Sequence, residues 1–502
     1  MSDEVGTVIS TLEGPSTMAF SFVISNPKVR KGQFVQAKCE EGLLIGMVTE
    51  ITRANRYFER AESVAEYERS GGMPSFPTAE WEYVIANVRA LGVYSKDNHL
   101  IRATFPAAPG MKVEVADERM LKDFLGFDDC GLNLGKLANH ELDALVPLNG
   151  LLQKHVSILA MSGAGKSYLS SVLIEELLDR KPENGRVAVI VVDVHGEYLG
   201  FKHGSYGQKT KIFDGKKLRI ALHKVPPQMF GEFLPELSMG GMRDLAVVVD
   251  GLKKESKEKH EAYEMKDLIN RIEARKEIKE SVKGPMLSWL YQLQRLRLFG
   301  KADNPPIKEL ALPGNLSILD LSEIDSMKKK QIILAYFAKK LFSARRKGRI
   351  PPFMLLVEES HNFAREKAPK GASISKHVIE TIAREGRKFG ASLCLVSQRP
   401  VQLSTTALSQ CNTNIILRVT NPYDIDHIGE SCEGIDKSML GSITTLRVGE
   451  ALVVGEAVHY PIFIKVRRRK SKSSPKGESI EILAKRYEEM QGKKEKDVEA
   501  FL

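Results

Sequence analysis

Lys166 and Ser167 close the stretch ILAMSGAGKS, and Glu358 and Glu359 close the stretch PFMLLVEE. The first stretch leads an apolar run into small residues, a lysine and a hydroxyl. From Ala160 to Ser167 it follows G-x-x-x-x-G-K-[ST] except at the first position, where alanine replaces glycine. Small residues (Gly163, Ala164, Gly165) let backbone N–H groups approach phosphate oxygens, and a helix starting here adds a favourable dipole. Lys166 then reaches the β- and γ-phosphates, Ser167 holds Mg²⁺, and Tyr168 follows beside the nucleotide. The second stretch supplies what hydrolysis needs beyond binding. Glu358 suits the water shell of Mg²⁺, and Glu359 suits orienting or deprotonating an attacking water. The expected cofactors are ATP and Mg²⁺.

Further polar residues stand at strand ends. Asp193 and Glu197 in DVHGEY either line the same sheet edge or simply hold a turn. IETIAREGRKFGASLCLVSQRP places Arg384 and Arg387 on one helical face. It ends a strand in Gln398, which can sense a γ-phosphate, and packs the arginines between the catalytic strands. An arginine completing a neighbour's site contributes roughly 10³–10⁵ in rate. His195 and His361 have no companion ligands and are not expected to hold metal. FAREKAPKGASISKH (363–377) is a basic, small-residue loop. Its Arg365, Lys367, Lys370 and Lys376 are candidate contacts to the phosphates of a polyanion.

These residues need a sheet to position them. From about Leu134 onward the runs VSILAM, RVAVIVVDV, LSILDL, PFMLLVE, ASLCLVS, NIILRV and ALVVG alternate with helical patterns. Such runs predict a parallel sheet covered on both faces, with ligands at its carboxyl edge. Two strands, ending at Asp193 and near Leu321, separate the phosphate loop from the glutamates along the chain. A simple kinase places its metal-binding carboxylate on the strand next to the phosphate loop. An intervening strand with a catalytic glutamate is the RecA-like arrangement. The fold class expected is α/β, in five segments: a small β-barrel (1–112), the first part of a RecA-like ATPase core (113–227), a solvated helical insertion (228–312), the second part of the core (313–466), and a basic, then helical tail (467–502). In the barrel, Trp81 and Tyr83 are expected to pack as half-buried strand residues. In the insertion, Trp289, Leu290, Leu293 and Leu296 are expected in the core. RRRKSKSSPKGES reads as a solvated tail or as a strap on a neighbouring subunit or on nucleic acid.

Bulk properties agree. The chain has 502 residues, too many for one core, and a formal net charge of +10, which suits a polyanion partner. Its longest aliphatic run, Val187–Val192, is too short to span a membrane. With no secretory pattern at the start, a cytoplasmic protein is expected. Cys39, Cys130, Cys394, Cys411 and Cys432 form no CxxC pair, so free thiols are expected.

Taken in order, KHVSILAMSGAGKS, VVDVHGEY, LLVEESHN, AREGRKFG and LVSQRP resemble the archaeal HerA family of DNA translocases, within the HerA–FtsK group of ATPases. The resemblance implies a homohexameric ring with ATP sites between subunits, double-stranded DNA in the central channel, and the nuclease NurA docked on the barrel for resecting broken ends. It also implies that Lys154 touches nucleotide and that Arg384 acts in trans. Ala160 and the glutamate at position 358, where relatives often have aspartate, depart from the family pattern. Two other functions compete. One is an ATP-gated DNA clamp or nuclease-recruiting platform. The other is a small-molecule kinase, disfavoured by strand order.

Overall fold

Short alternating runs fold first into a barrel. Its strands are β1 (Glu4–Ile9), β2 (Ala19–Ile24), β3 (Phe34–Cys39), β4 (Gly42–Asn55), β5 (Glu82–Ser95), β6 (Leu100–Ile101) and β7 (Lys112–Val115). The order β2-β1-β7-β3-β4-β5 is antiparallel throughout, and β2 pairs back onto β5 to close six strands. β6 extends the far edge of β5. Phe22, Val35, Val48, Val88 and Val113 fill the interior, as period-2 alternation requires. The computed structural model describes residues 4–10, 14–69, 71, 78–95, 100–369, 371–474, 481–482 and 484–488. Trp81 departs from expectation. It lies in a 3₁₀ turn before β5 and is 41% exposed, whereas Tyr83 sits on β5.

The core sheet takes β8 (Leu132–Leu137), β9 (Asp143–Val146), β10 (Val156–Leu159), β11 (Ala188–Asp193) and β12 (Thr210–Asp214) from the first half of the core. A two-stranded pair, β13 (Ile220–Ala221) and β14 (Phe299–Gly300), brackets the insertion. Then come β15 (Leu316–Asp320), β16 (Phe353–Val357), β17 (Ala391–Ser397), β18 (Thr413–Ile416), β19 (Glu450–Gly455) and β20 (Ile462–Val466). Sheet order is β12-β15-β11-β16-β17-β10-β18-β19-β20-β8-β9. The strands from β12 to β18 are parallel, and those from β18 to β9 pair antiparallel. The sheet is therefore mixed rather than wholly parallel. Where helices cover both faces, β10, β11, β16, β17 and β18 are buried at every position. In the antiparallel extension β8 and β9 include exposed residues. Phe34, Ile45 and Met47 of the barrel join the core's apolar cluster, and the Phe34 N–H donates to His140 Nε2 at 3.0 Å. Burial pushes that imidazole down to about 4, so it stays a neutral acceptor.

The charge-dense segment is less solvated than its composition suggests. Helices Met239–Lys259, Met265–Ala274 and Glu280–Arg295 bury Leu245, Val249, Leu268, Ile272, Leu290 and Leu293 in the same apolar cluster. Most of their Lys and Glu residues occupy the outer faces, but Lys283 is buried and donates to the Glu273 carbonyl at 3.3 Å. Trp289 is half-buried with Lys328 over its ring.

The start of the basic tail straps its own chain. Arg467–Ser474 runs over the helix Lys166–Asp179, where Glu175 is fully buried. Glu175 accepts from Arg467 Nη1 (2.8 Å), the Lys470 N–H (2.9 Å), and both the N–H (2.7 Å) and hydroxyl (2.6 Å) of Ser471. The Arg469 N–H donates to the Tyr168 hydroxyl, and the Gly200 N–H to Ser474 Oγ. Any side chain at Gly200 would meet the Lys472 carbonyl oxygen at 2.2 Å, so glycine is needed for the strap to lie down.

Burial alone raises the Glu175 carboxyl, but the Ser471, Lys470 and Arg467 donors outweigh it and hold the group below its ordinary value. Its stabilisation is therefore present above the ordinary carboxylate pKa and is lost as pH falls through the depressed folded value. Glu175→Ala leaves Arg467 its Glu176 partner but removes the acceptor of the Lys470 and Ser471 donors, and is expected to cost about 1–3 kcal/mol. Denaturant unfolding should show that loss at neutral pH, and it should shrink in acid as the unaltered protein loses the same interaction.

Candidate active site

β10 ends at Leu159, and the chain turns through Ala160–Gly165 into the helix Lys166–Asp179. Ala160 is fully buried and donates its N–H to the Ser397 carbonyl (3.2 Å), so a methyl group fits at the first loop position. Gly163 (φ 77°) and Gly165 (φ 102°) take the left-handed turns that side chains resist. The Met161 N–H donates to the Arg418 carbonyl (2.9 Å), which fixes the other side of the loop.

β16 delivers the carboxylates. Glu358 is fully buried; its Oε2 accepts from the Val194 N–H (3.0 Å) and its Oε1 has no partner. Glu359 adopts a left-handed backbone (φ 49°) and ion-pairs with Lys166. Glu197 accepts from the Ser167 hydroxyl. Burial first, then Glu197 and Asp193, raises the Glu358 carboxyl well above the carboxylate range. Glu197 moves the other way. Burial opposes the shift, but its bonds with Glu358 and Ser167 and the Lys166 charge prevail. Asp193 holds the turn: it accepts from the N–H groups of His195 (3.3 Å), Gly196 (2.8 Å), Glu197 (3.1 Å) and Tyr198 (3.0 Å). Asp193 thus holds the turn, while Glu197 reaches the Ser167 hydroxyl.

An orphaned, buried carboxyl oxygen beside a second carboxylate and a serine hydroxyl fits a hard divalent cation with its waters. Ser167, Glu358 and Glu197 are the residues that would hold Mg²⁺ or its water shell.

β17 lies between β10 and β16 in the sheet, with Ser397 beside Leu159 and Leu395 beside Val357. The intervening strand is this one. The two strands that precede the glutamates in sequence, β11 and β15, lie beyond β16. Half-buried Gln398 follows β17 directly, between the phosphate loop and the glutamates.

Residues 132–341 match the family model described as "Helicase HerA, central domain". A probable helicase of Methanocaldococcus jannaschii is 29% identical over 475 residues, spanning 88% of this chain and 86% of the relative. The DNA double-strand break repair helicase HerA of Pyrococcus furiosus is 28% identical over 518 residues, 90% of each chain. The chain is similar to HerA-type helicases along most of its length. Its fold is also that of VirB4 from Thermoanaerobacter pseudethanolicus (TM-score 0.55, 16% identity, 68% of this chain and 98% of that one). It is shared too by the plasmid coupling protein TrwB, solved with ADP and Mg²⁺ (TM-score 0.50, 12% identity, 72% and 94%). The chain thus has the fold of these P-loop ATPases.

Not every expected residue gathers at this edge. Lys154 precedes β10 at the opposite edge, ~20 Å of extended chain from the loop, and ion-pairs with Glu456. It does not reach its own chain's nucleotide site. Arg384 is exposed near the end of the helix Lys376–Glu385, not packed between the catalytic strands. The neighbouring Ala383 carbonyl lies 2.9 Å from His155 Nε2, so Arg384 shares the far edge with Lys154. In the basic loop, Arg365 and Lys367 are exposed, whereas Lys376 is tied to Glu366 (3.4 Å) and Glu380 (3.8 Å). Lys370 lies outside the described residues. His361 is buried against Glu359 and Ser397, and His195 is exposed. Among the described residues no acidic, His or Cys group forms a metal cluster, and the five cysteines are free.

Glu197 is the site residue whose role the sequence left open. Its signal was a second acid four residues beyond a strand-end aspartate. Glu197→Gln keeps the shape but removes the charge beside Ser167. It is expected to weaken Mg²⁺ affinity roughly 10–100-fold, as losing a residue that supports a metal ligand does. Titrating Mg²⁺ into the nucleotide-bound protein checks this.

Proposed function

We propose that the chain is an ATP-driven translocase on double-stranded DNA. The observation carrying this is the convergence of Lys166, Ser167, Glu358, Glu359 and Gln398 at the carboxyl ends of the neighbouring strands β10, β17 and β16. The HerA-type relatives, named as break-repair helicases, supply the substrate class. In this reading the phosphate loop binds the nucleotide triphosphate, Lys166 leaves Glu359 for the β- and γ-phosphates, and the freed Glu359 orients the attacking water. Gln398 touches the γ-phosphate. Mg²⁺ neutralises phosphate charge when bound.

The far edge supports a ring. An exposed Arg384 beside Lys154, remote from its own loop, suits insertion into the site of a second copy. Head-to-tail contact of this kind closes into a ring, read here as a hexamer around duplex DNA. The exposed Arg365 and Lys367 then grip phosphates, and the barrel carries the nuclease NurA for end resection. An ATP-gated clamp that recruits a nuclease without moving uses the same residues and is separated only by motion.

Hydrolysis is expected to rise on adding linear duplex DNA at low salt and to weaken in its DNA dependence as salt increases. Glu359→Gln should abolish it. Arg384→Ala should lower kcat by roughly 10³–10⁵. Mixing those two inactive variants should restore activity, because some interfaces then combine an intact glutamate with an intact arginine. Failure of mixed, correctly assembled rings to recover would remove Arg384 from the trans role.

A further inference from the structure

His361 has no part in the hydrolysis just described, yet it is 5% exposed and placed between two elements of the site. It lies in the turn Ser360–Asn362, directly after the glutamates. Its Nδ1 is 3.1 Å from Ser397 Oγ and 3.4 Å from Glu359 Oε2, an oxygen with no hydrogen-bond partner. Burial lowers the imidazole pKa first; Glu359 pulls it up, and the charges of Lys166, Arg399 and Arg365 push it down again. The ring is therefore neutral, and Nδ1 serves only one of its two neighbours at a time.

Ser397 connects outward. Its Oγ accepts from the Arg399 N–H at 3.1 Å, and Arg399 is exposed. Arg365, also exposed, pairs with Leu403 in an isolated bridge, and the Glu366 N–H donates to the Gln402 carbonyl at 2.8 Å. The basic loop after the glutamates and the segment after Gln398 are thus joined, with one exposed arginine on each and His361 beneath them.

We propose that His361 is a positioning residue that couples a nucleic-acid phosphate held by Arg399 and Arg365 to the orientation of Glu359. Phosphate drawn to Arg399 shifts its backbone N–H on Ser397, Ser397 gives up Nδ1, and Nδ1 turns to Glu359 Oε2. Glu359 then leaves Lys166 in a fixed orientation toward water. The coupling rests on the DNA-motor reading above and adds to it how DNA is sensed.

The test uses the full-length protein, linear duplex DNA and ATP. His361→Ala should lose DNA stimulation of kcat at saturating duplex, with the Kd for duplex and the KM for ATP unchanged. His361→Asn places an amide nitrogen where Nδ1 stood and should recover stimulation. His361→Gln reaches only the Nε2 position and should not. Ser397→Ala, which leaves the imidazole packed and frees Nδ1 for Glu359, should raise hydrolysis without duplex and lose its further stimulation by duplex, and adding Arg399→Gln to either variant should change kcat at saturating duplex no further. Stimulation retained in His361→Ala or Ser397→Ala, or Asn and Gln behaving alike, overturns the coupling while leaving the motor intact. An unaltered protein whose hydrolysis ignores duplex DNA overturns the motor reading and the coupling with it.

Discussion

One strand inserted between two others sets the geometry of this molecule. β17 holds β10 and β16 two strand spacings apart, ~10 Å, and that gap is about the size of a phosphoryl group with its attacking water. Lys166 and Glu359 are long enough to meet across it, as they do here. Glu359 reaches that position only because its backbone turns left-handed at the strand end, a conformation that costs a non-glycine residue about 1–3 kcal/mol. The surrounding bonds hold it there. Asn362 donates its N–H to the Glu359 carbonyl, and the Ser360 hydroxyl donates to the Val396 carbonyl on β17. Strain at this residue, opposed by bonds to the inserted strand, marks the point where the fold is built for the site rather than for itself.

Much of this is legible in the residue pattern, for physical reasons. A strand buried on both faces has to be apolar at every position, so the strands that carry chemistry stand out as β-branched runs. Lys166, Ser167, Glu358, Glu359 and Gln398 end or follow such runs and arrive together. What the pattern hides is spatial order. β17 follows β16 in sequence but lies between it and β10, and only pairing register reveals this. β8, β9, β12 and β20 are short and include exposed residues, so they carry no comparable signal. Charge misleads as well. Glu175 looks like a solvated helix residue until the tail covers it, and RRRKSKS looks unattached until its donors find that carboxylate. Lys154 and Arg384 are tied to the nucleotide by the family resemblance, while in this chain both lie at the edge of the sheet opposite the phosphate loop.

That separation gives each edge of the core its own role. The carboxyl edge gathers acids, the phosphate loop and the basic loop after Glu359. The amino edge exposes an arginine next to Lys154. In the ring proposed above, each copy would complete its site only with the arginine of a neighbour. The strap adds a second constraint. By anchoring the Tyr168 hydroxyl and burying Glu175, it fixes the helix that begins at Lys166 against the turn carrying Glu197. The helix after the phosphate loop, the segment after Glu197 and the tail are thus joined by hydrogen bonds.

Whether the assembled protein moves along DNA is best decided by displacement of a tight protein block from the end of a long duplex, with Glu359→Gln as the comparison. The account predicts ATP-dependent release of the block that grows with time and is absent in the variant. Hydrolysis stimulated by duplex DNA without any release of the block, in verified rings with the nuclease present, would contradict translocation and favour a clamp.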